Sequence, residues 1–221
     1  MIVQYGIERT GTTLIWQILK DLFDNSIKKT HDYIRLKEED RAVVTYRDFR
    51  DVVVSLWRAQ SNNKGNIVIP KKDLYMRKNL GKHQLKSLDK PVLDLILTYV
   101  LSGITTLNKY KSDYADKVLF LKYEKFYTNY EYIYDNLESF FKIKIPYDKR
   151  TELSKRHNFM VNKNIADKMA HFGEYEPESG IHGDHMHKGL PGTYKEFLSK
   201  ELEEYLSQRL KDHLITRGYR L

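Results

Sequence analysis

The sequence predicts an α/β fold in which a central parallel sheet lies between two layers of helices. Short apolar segments alternate along the chain with longer segments of helical periodicity. A glycine-containing turn separates the first predicted strand from the first predicted helix. The 221 residues suffice for one sheet covered on both faces but are short for two independent cores. We therefore expect a three-layer αβα architecture and a single domain over residues 1–221.

The predicted strands are short apolar runs bounded by polar residues. The first is "IVQY" (residues 2–5), and "SIKKT" (26–30) is a short second strand. "RAVVTY" (41–46) is a firmer third strand because its apolar residues lie together before a turn. "KVLFLKY" (117–123) is the fourth.

The predicted helices rest on apolar residues at helical spacing. They cover residues 11–23, 47–59, 89–110, 130–141, 147–157 and 199–214. Pro146 and Ser199 are start signals for the last two. The segment 171–192, rich in glycine, proline and histidine, is expected to be a long loop, and such loops are often functional.

Composition limits the classes of function. The chain has 38 Lys and Arg against 30 Asp and Glu, a net charge of +8 that suits a polyanionic ligand, a nucleic acid, an anionic membrane surface or simply a basic exterior. It has no cysteine, which excludes disulfides, thiolate nucleophiles and thiolate metal ligands. No segment reaches the roughly 18 uninterrupted apolar residues of a membrane span, so we expect a cytoplasmic protein.

The turn after the first strand, "GIERTGTT", is typical of a phosphate-binding loop. Gly6 and Gly11 fit the template G-x-x-x-x-G-K-[ST] except that Thr12 replaces the lysine. A loop that enters a helix N-terminus presents unpaired N–H groups and binds anions without that lysine. The cation lies inside the loop at Arg9, and only Asp48 offers a strand-end Mg²⁺ ligand, so an ATPase is disfavoured.

Four motifs, in the same order along the chain, resemble the sulfotransferases that use 3′-phosphoadenosine 5′-phosphosulfate (PAPS). "IERTGTTLIW" resembles their 5′-phosphosulfate loop P-K-S-G-T-T-W, and "KKTH" (28–31) resembles the K-T-H of the cytosolic branch. "TYRDFRDVVVSLWR" is similar to the 3′-phosphate motif, with Arg47 and Ser55 eight positions apart. "HKGLPGTYKEF" resembles R-K-G-x-x-G-D-W-K, and with "LKYEKF" and "NFM" the resemblance spans residues 2–197.

The resemblance implies a P-loop-like fold and in-line transfer of a sulfuryl group from PAPS to an acceptor hydroxyl, with adenosine 3′,5′-bisphosphate (PAP) released and no metal required. It implies His31 as the general base, with Arg9 and Lys29 stabilising charge in the transition state. Asp32 and Glu8 remain alternatives for the base. The implied cofactor-binding residues are Arg9, Thr10, Gly11, Thr12, Thr13, Arg47, Ser55, Tyr123, His187, Lys188 and Gly189.

The chain departs from the family pattern at several positions. Arg9 replaces a lysine and cannot donate a proton, and His187 replaces an arginine. Leu14 stands where the family often has a tryptophan that stacks on adenine, so adenine packing is expected to fall to Tyr123 or Phe159, although Trp16 is close in sequence.

The acceptor site is expected to be reduced, because the spacing from Arg9 to His31 is short for the cytosolic branch. It would then be built from residues 60–88 and 174–187, which are polar and basic. We expect a carbohydrate or glycan hydroxyl as acceptor.

Three other readings follow from parts of the sequence. The histidines and aspartate of "HGDHMH" (182–187) suit zinc, but the segment has no second ligand cluster and resembles a cofactor-covering segment. A P-loop kinase lacks its lysine and its Mg²⁺ ligand. A nucleic-acid-binding module would explain the charge, but the basic residues are scattered. We expect neither nucleic acid nor membrane as partner, and the oligomeric state is left open.

Overall fold

The structure, a computed structural model, describes residues 1–23, 27–61, 88–170, 174–183, 186 and 188–221, without the side chains of residues 60 and 61. Its main sheet has the strand order β2-β1-β3-β4, and every neighbouring pair is parallel. The strands are β1 (Ile2–Gly6), β2 (Ile27–Thr30), β3 (Arg41–Tyr46) and β4 (Val118–Lys122). The predicted parallel sheet is confirmed.

The helices of the described residues agree closely with those predicted. They are α1 (Thr12–Phe23), α2 (Phe49–Ser61), α3 (Lys90–Asp113), α4 (Tyr123–Phe126), α5 (Tyr130–Phe141), α6 (Tyr147–Arg156), α7 (Phe159–Asp167) and α8 (Lys200–Thr216). The sequence did not predict α4 or α7, because α4 is a single turn and α7 is only nine residues long. A start signal for α7 exists: the Asn158 side chain accepts a hydrogen bond from the Val161 amide.

The segment predicted as a long loop contains regular structure. Strands β5 (Tyr175–Glu176) and β6 (Ile181–His182) form a small antiparallel hairpin, and a 3₁₀ turn follows at Thr193–Glu196. Strands this short leave no visible alternation in the sequence, which is why the pattern indicated a loop.

Two apolar clusters cover the two faces of the main sheet. Ala42 and Val44 of β3 pack with α2, α3 and α8, whereas Val43 between them packs with α1, α5 and α6. Successive strand residues point to opposite faces, so a strand buried on both sides is apolar throughout. The three-layer αβα architecture is therefore confirmed.

Helix α3 is, in the part of the chain that the structure describes, the one helix long and apolar enough to cross a membrane by length and composition. Its stripe of Leu93, Ile96, Val100 and Leu107 is buried against the sheet and its neighbouring helices. A core helix passes the same test, and the cytoplasmic location stays a prediction.

The parallel strands bring three predicted site segments to one edge of the sheet. Strand β1 runs into the glycine loop, β2 ends next to His31, and β3 ends next to Arg47. Tyr5 is paired with Thr30, and Gly6 with Thr45, so the three carboxyl ends lie side by side. Ligands of open parallel sheets bind at such edges.

Candidate active site

The loop between β1 and α1 is held in a fixed shape from behind. The Thr10 hydroxyl donates to the Ile7 carbonyl over 2.7 Å and lies 2.9 Å from the Thr45 hydroxyl. Gly11 has a φ of 82°, and a Cβ there would lie 2.8 Å from the Phe126 ring, so this position requires glycine. The Thr10 side chain therefore stabilises the loop. The backbone amide of Thr10 is the group that remains available to a ligand.

The loop ends at the N-terminus of α1. The first amides of a helix have no intrahelical partner and lie at the positive end of its dipole. Gly11, Thr12 and Thr13 line a cleft at this point. The Thr13 hydroxyl accepts a hydrogen bond from the Lys29 ammonium over 2.8 Å. An anion bound at this helix end would therefore meet backbone N–H groups, a hydroxyl and a lysine together.

Positive charges crowd around the loop. Burial lowers the pKa of Arg9, and the neighbouring Arg58 and Arg47 lower it further, against the opposing effect of Glu8. Burial also lowers the pKa of Lys29, to about 8, again opposed by Glu8. Arg9 has a φ of 72°, a left-handed conformation that costs a non-glycine residue about 1–2 kcal/mol. The cationic groups around the loop repel one another, and a bound anion would offset that repulsion.

Arg47 forms the second cationic end of the cleft. Its side chain is 6% exposed; its Nη2 donates to the Leu190 carbonyl over 2.7 Å and lies 3.2 Å from the Asp51 carboxylate. The guanidinium stacks on the Tyr123 ring, 4.5 Å from its centroid. Its buried Nε–H has no hydrogen-bond partner among the described residues. An unsatisfied buried donor is costly, and Ser55, two turns along α2, adds a hydroxyl to the same cleft.

A segment of residues 188–194, which we call the cover segment, closes the cleft over Arg47. The Tyr123 hydroxyl donates to the Gly189 carbonyl over 2.6 Å. Gly189 has a φ of 66°, and a Cβ there would lie 2.7 Å from the Phe159 ring. Lys188 is half exposed and its ammonium lies 2.7 Å from the Glu196 carboxylate. His187, predicted to bind the cofactor, lies outside the described residues.

The cleft joins these two ends. Together with the open solvent at its mouth, the empty space of the cleft is about 1030 Å³. Its cationic lining residues are Arg9, Arg47, Arg58 and Lys188, and no carboxylate lines it among the residues that the structure describes. Its aromatic lining residues are Tyr123, Tyr127, Tyr130, Phe159 and Phe197. This lining suits a ligand that carries anionic groups and a flat ring.

His31 lies beside the loop and outside the cleft lining. It is exposed, and its Nδ1 lies 2.7 Å from the Gly6 carbonyl oxygen. A carbonyl can only accept, so Nδ1 carries the proton and Nε2 of the neutral ring has a free lone pair. This tautomer can accept a proton from a hydroxyl that approaches from solvent.

The structure thus brings most of the predicted site residues together. Those that line the cleft are Arg9, Gly11, Thr12, Thr13, Arg47, Ser55, Tyr123, Lys188 and Gly189. Thr10, Lys29 and His31 lie behind or beside it. Trp16 does not line the cleft but packs against Gly180, with the ammonium groups of Lys20 and Lys29 over its ring.

The lining residues that sequence reasoning missed include Arg58, His157 and Asn162. Arg58 follows Ser55 by three positions, which places both on one helix face, so this signal was present. His157 and Asn162 flank or belong to α7, which the sequence did not predict. The His157 imidazole contacts the Asp21 carboxylate over 2.8 Å, and burial lowers its pKa.

The structure tests only in part whether residues 182–187 form a zinc site. No group of three or more His, Asp or Glu side chains in the described residues is arranged to hold a metal ion. Asp184, His185 and His187 lie outside those residues, so the absence of a metal stays a prediction.

A known protein family matches most of the chain. The family model described as "Sulfotransferase domain" matches residues 35–216, a span that includes Arg47 and Ser55 and begins after the glycine loop and His31. No curated protein sequence matches the chain.

Several solved structures share the fold. The crystal structure of mouse sulfotransferase SULT7A1 complexed with PAP is 11% identical, with 96% of this chain and 84% of that chain covered and a TM-score of 0.66. A retinol dehydratase in complex with androsterone and inactive cofactor PAP is 18% identical, with 100% and 81% covered and a TM-score of 0.60. A retinol dehydratase in a complex with retinol and PAP is 17% identical, with 100% and 82% covered and a TM-score of 0.61.

Proposed function

This chain belongs to the sulfotransferase domain family, and on that premise we propose that it transfers a sulfuryl group from PAPS to an acceptor hydroxyl and releases PAP. The observation that carries the proposal is the cleft lined by four cationic and five aromatic side chains, with no carboxylate among its described lining residues. PAPS has the matching shape: a 5′-phosphosulfate, an adenine and a separate 3′-phosphate. The three solved structures described above contain PAP.

We assign the donor groups to named residues. The 5′-phosphosulfate would bind at the N-terminus of α1, to the amides of residues 10–13 and the hydroxyls of Thr12 and Thr13. The 3′-phosphate would bind Arg47, whose buried Nε–H needs a partner, together with Ser55 and Lys188. His187 is kept as a proposed ligand there. Adenine would pack between the rings of Tyr123 and Phe159.

The proposed reaction is an in-line displacement at sulfur. His31 Nε2 removes the proton of the acceptor hydroxyl as its oxygen forms a bond to sulfur. The bond from sulfur to the bridging oxygen of the 5′-phosphate breaks, and PAP leaves with that electron pair. Arg9 and Lys29 stabilise the negative charge that develops on the sulfonate and on the bridging oxygen. Because the loop and these side chains supply positive charge, the reaction does not require a metal.

Lys29 can also supply the proton for the leaving phosphate that Arg9 cannot donate. An arginine cannot give a proton to the leaving phosphate, whereas a lysine of pKa about 8 is mostly protonated at neutral pH and gives its proton readily. The hydrogen bond from Lys29 to Thr13 holds the ammonium at the loop that would bind the phosphosulfate. We therefore propose Lys29 as the proton donor.

For the acceptor we propose a carbohydrate or glycan hydroxyl, because the segments left to bind it are polar and basic. Most of residues 60–88 lie outside the described residues. An apolar alcohol is the second candidate, favoured by the androsterone and retinol recorded in two structural neighbours. We keep a single domain over residues 1–221 as part of the proposal.

The proposal is tested by nucleotide binding and by sulfate transfer. Calorimetry without Mg²⁺ should show binding of PAP, weakened in Arg47→Gln and unchanged in Arg209→Gln, whose side chain lies outside the cleft and pairs with Asp94. Labelled sulfate from PAPS should then pass to sugars rather than to phenols and steroids. A preference for Mg·ATP would indicate a kinase instead, and steeply salt-dependent binding of DNA or RNA would indicate a nucleic-acid-binding module.

A further inference from the structure

One buried carboxylate, that of Asp51, joins the cover segment to the helix that follows Arg47. Asp51 lies in the first turn of α2 and its side chain has no exposed surface. Its Oδ2 accepts from the Gly192 amide over 2.7 Å, and its Oδ1 accepts from the Tyr194 amide over 2.9 Å and the Thr193 hydroxyl over 3.2 Å. On the other side it lies 3.2 Å from the Arg47 guanidinium.

These contacts close a ring of interactions around the 3′-phosphate end of the cleft. Arg47 bonds the Leu190 carbonyl at one end of the ring, and Asp51 bonds the amides two and four residues further along. The carboxylate therefore fixes the direction of the guanidinium and the position of the backbone that follows Lys188. The positions of Arg47 and Lys188, the two cationic residues that we assign to the 3′-phosphate, therefore depend on the Asp51 carboxylate.

The ion pair with Asp51 leaves part of the Arg47 guanidinium available to a ligand. Arg47 uses Nη2 for both Asp51 and Leu190, and its Nε–H stays unpartnered among the described residues although it is buried. A guanidinium held in this way by one edge presents its other donors in a fixed direction, which suits a phosphate oxygen.

We propose that Asp51 is the positioning residue that gives the cleft its preference for a nucleotide with a 3′-phosphate. This inference rests on the proposed function. Asp51 contacts no part of the donor itself; it acts through Arg47 and the cover segment. If the role of Asp51 were merely structural, its substitution would weaken the binding of all nucleotides alike and lower the melting temperature. In the positioning role, the substitution weakens the binding only of nucleotides that carry the 3′-phosphate.

The test compares PAP with AMP, which differ in that phosphate, in wild type and in Asp51→Asn. The variant keeps the size of the side chain but loses the ion pair with Arg47 and turns an NH₂ group toward a backbone N–H. By calorimetry we expect PAP affinity to fall at least about tenfold and AMP affinity to stay within about twofold. In turnover, KM for PAPS should rise more than kcat falls.

Glu138→Gln is the matched control. The Glu138 carboxylate also accepts from a backbone amide, that of Ile145 over 2.6 Å, and pairs with Arg150 over 3.0 Å, but these residues do not line the cleft. We expect this variant to leave the ratio of PAP to AMP affinity at the wild-type value.

The outcomes separate the two proposals. A wild-type protein without preference for PAP over AMP would refute the proposed function. A wild-type preference that Asp51→Asn retains would refute the positioning role alone. If Asp51→Asn does not fold, hydrogen exchange of the wild-type protein decides: the amides of Gly192 and Tyr194 should be protected more by PAP than by saturating AMP. Equal protection by the two nucleotides would overturn the inference.

Discussion

The protonation of Lys29 should set an alkaline limit on catalysis. The ammonium is the active form, because it stabilises the leaving phosphate and donates a proton to it. Burial favours the neutral amine and lowers the pKa of Lys29 to about 8. The active form is therefore lost as the pH rises through 8, whereas an ordinary lysine would keep its proton to about pH 10.

The size of the effect follows from that pKa. With a pKa of about 8, Lys29 is roughly nine-tenths protonated at pH 7, half protonated at pH 8 and about one-tenth protonated at pH 9. If transfer requires the ammonium, kcat/KM for PAPS should fall about tenfold between pH 7 and pH 9. This ratio is the quantity to follow, because it reports the free enzyme, in which no bound anion raises the pKa of Lys29.

The assay is transfer of labelled sulfate at subsaturating PAPS, from about pH 6.5 to about pH 9.5. Lys29→Arg keeps the charge but does not titrate in this range, so its rate should be lower at pH 7 and flat to pH 9. Lys20→Arg is the control, because Lys20 also lies over Trp16 but bonds the Glu178 carbonyl at the surface. A wild-type profile that stays flat to pH 9, or the same decline in Lys29→Arg, would refute the reasoning.

Three further predictions concern the base, the loop and the core. His31→Ala should lower kcat about 10²–10⁴-fold and leave PAP affinity unchanged; a matching loss of PAP binding in calorimetry would contradict the role of base. Gly11→Ala, with its φ of 82° and a Cβ 2.8 Å from Phe126, should weaken PAP binding and destabilise the fold by about 1–3 kcal/mol; an unchanged melting temperature would count against this. Leu137→Ala, in the fully buried cluster beneath α1, should lower the free energy of unfolding by about 2–5 kcal/mol in urea titration, whereas Met160→Ala, at a 60% exposed position, should change it little.

The strands, the long helices and the glycine loop could be predicted from sequence because their signals are local. "RAVVTY" has a continuous apolar centre, Ala42 to Val44, since β3 is buried on both faces, and Gly6 and Gly11 have the spacing that the turn into α1 requires. Arg47 and Ser55 were found through the eight-residue spacing of the 3′-phosphate motif that they resemble, and both line the cleft. Where an element is too short to show a periodic pattern, as in the one-turn α4 and the nine-residue α7, prediction failed.

The sequence by itself determined the layer order and the residue types that meet an anion. Only the tertiary structure decided their chemical state. The pKa of Lys29 depends on burial, the tautomer of His31 depends on the Gly6 carbonyl, and the direction of Arg47 depends on Asp51 and on a carbonyl 143 residues further along the chain. Desolvation and hydrogen bonding act through space over a few ångströms, so residues far apart in sequence set them and no local pattern records them.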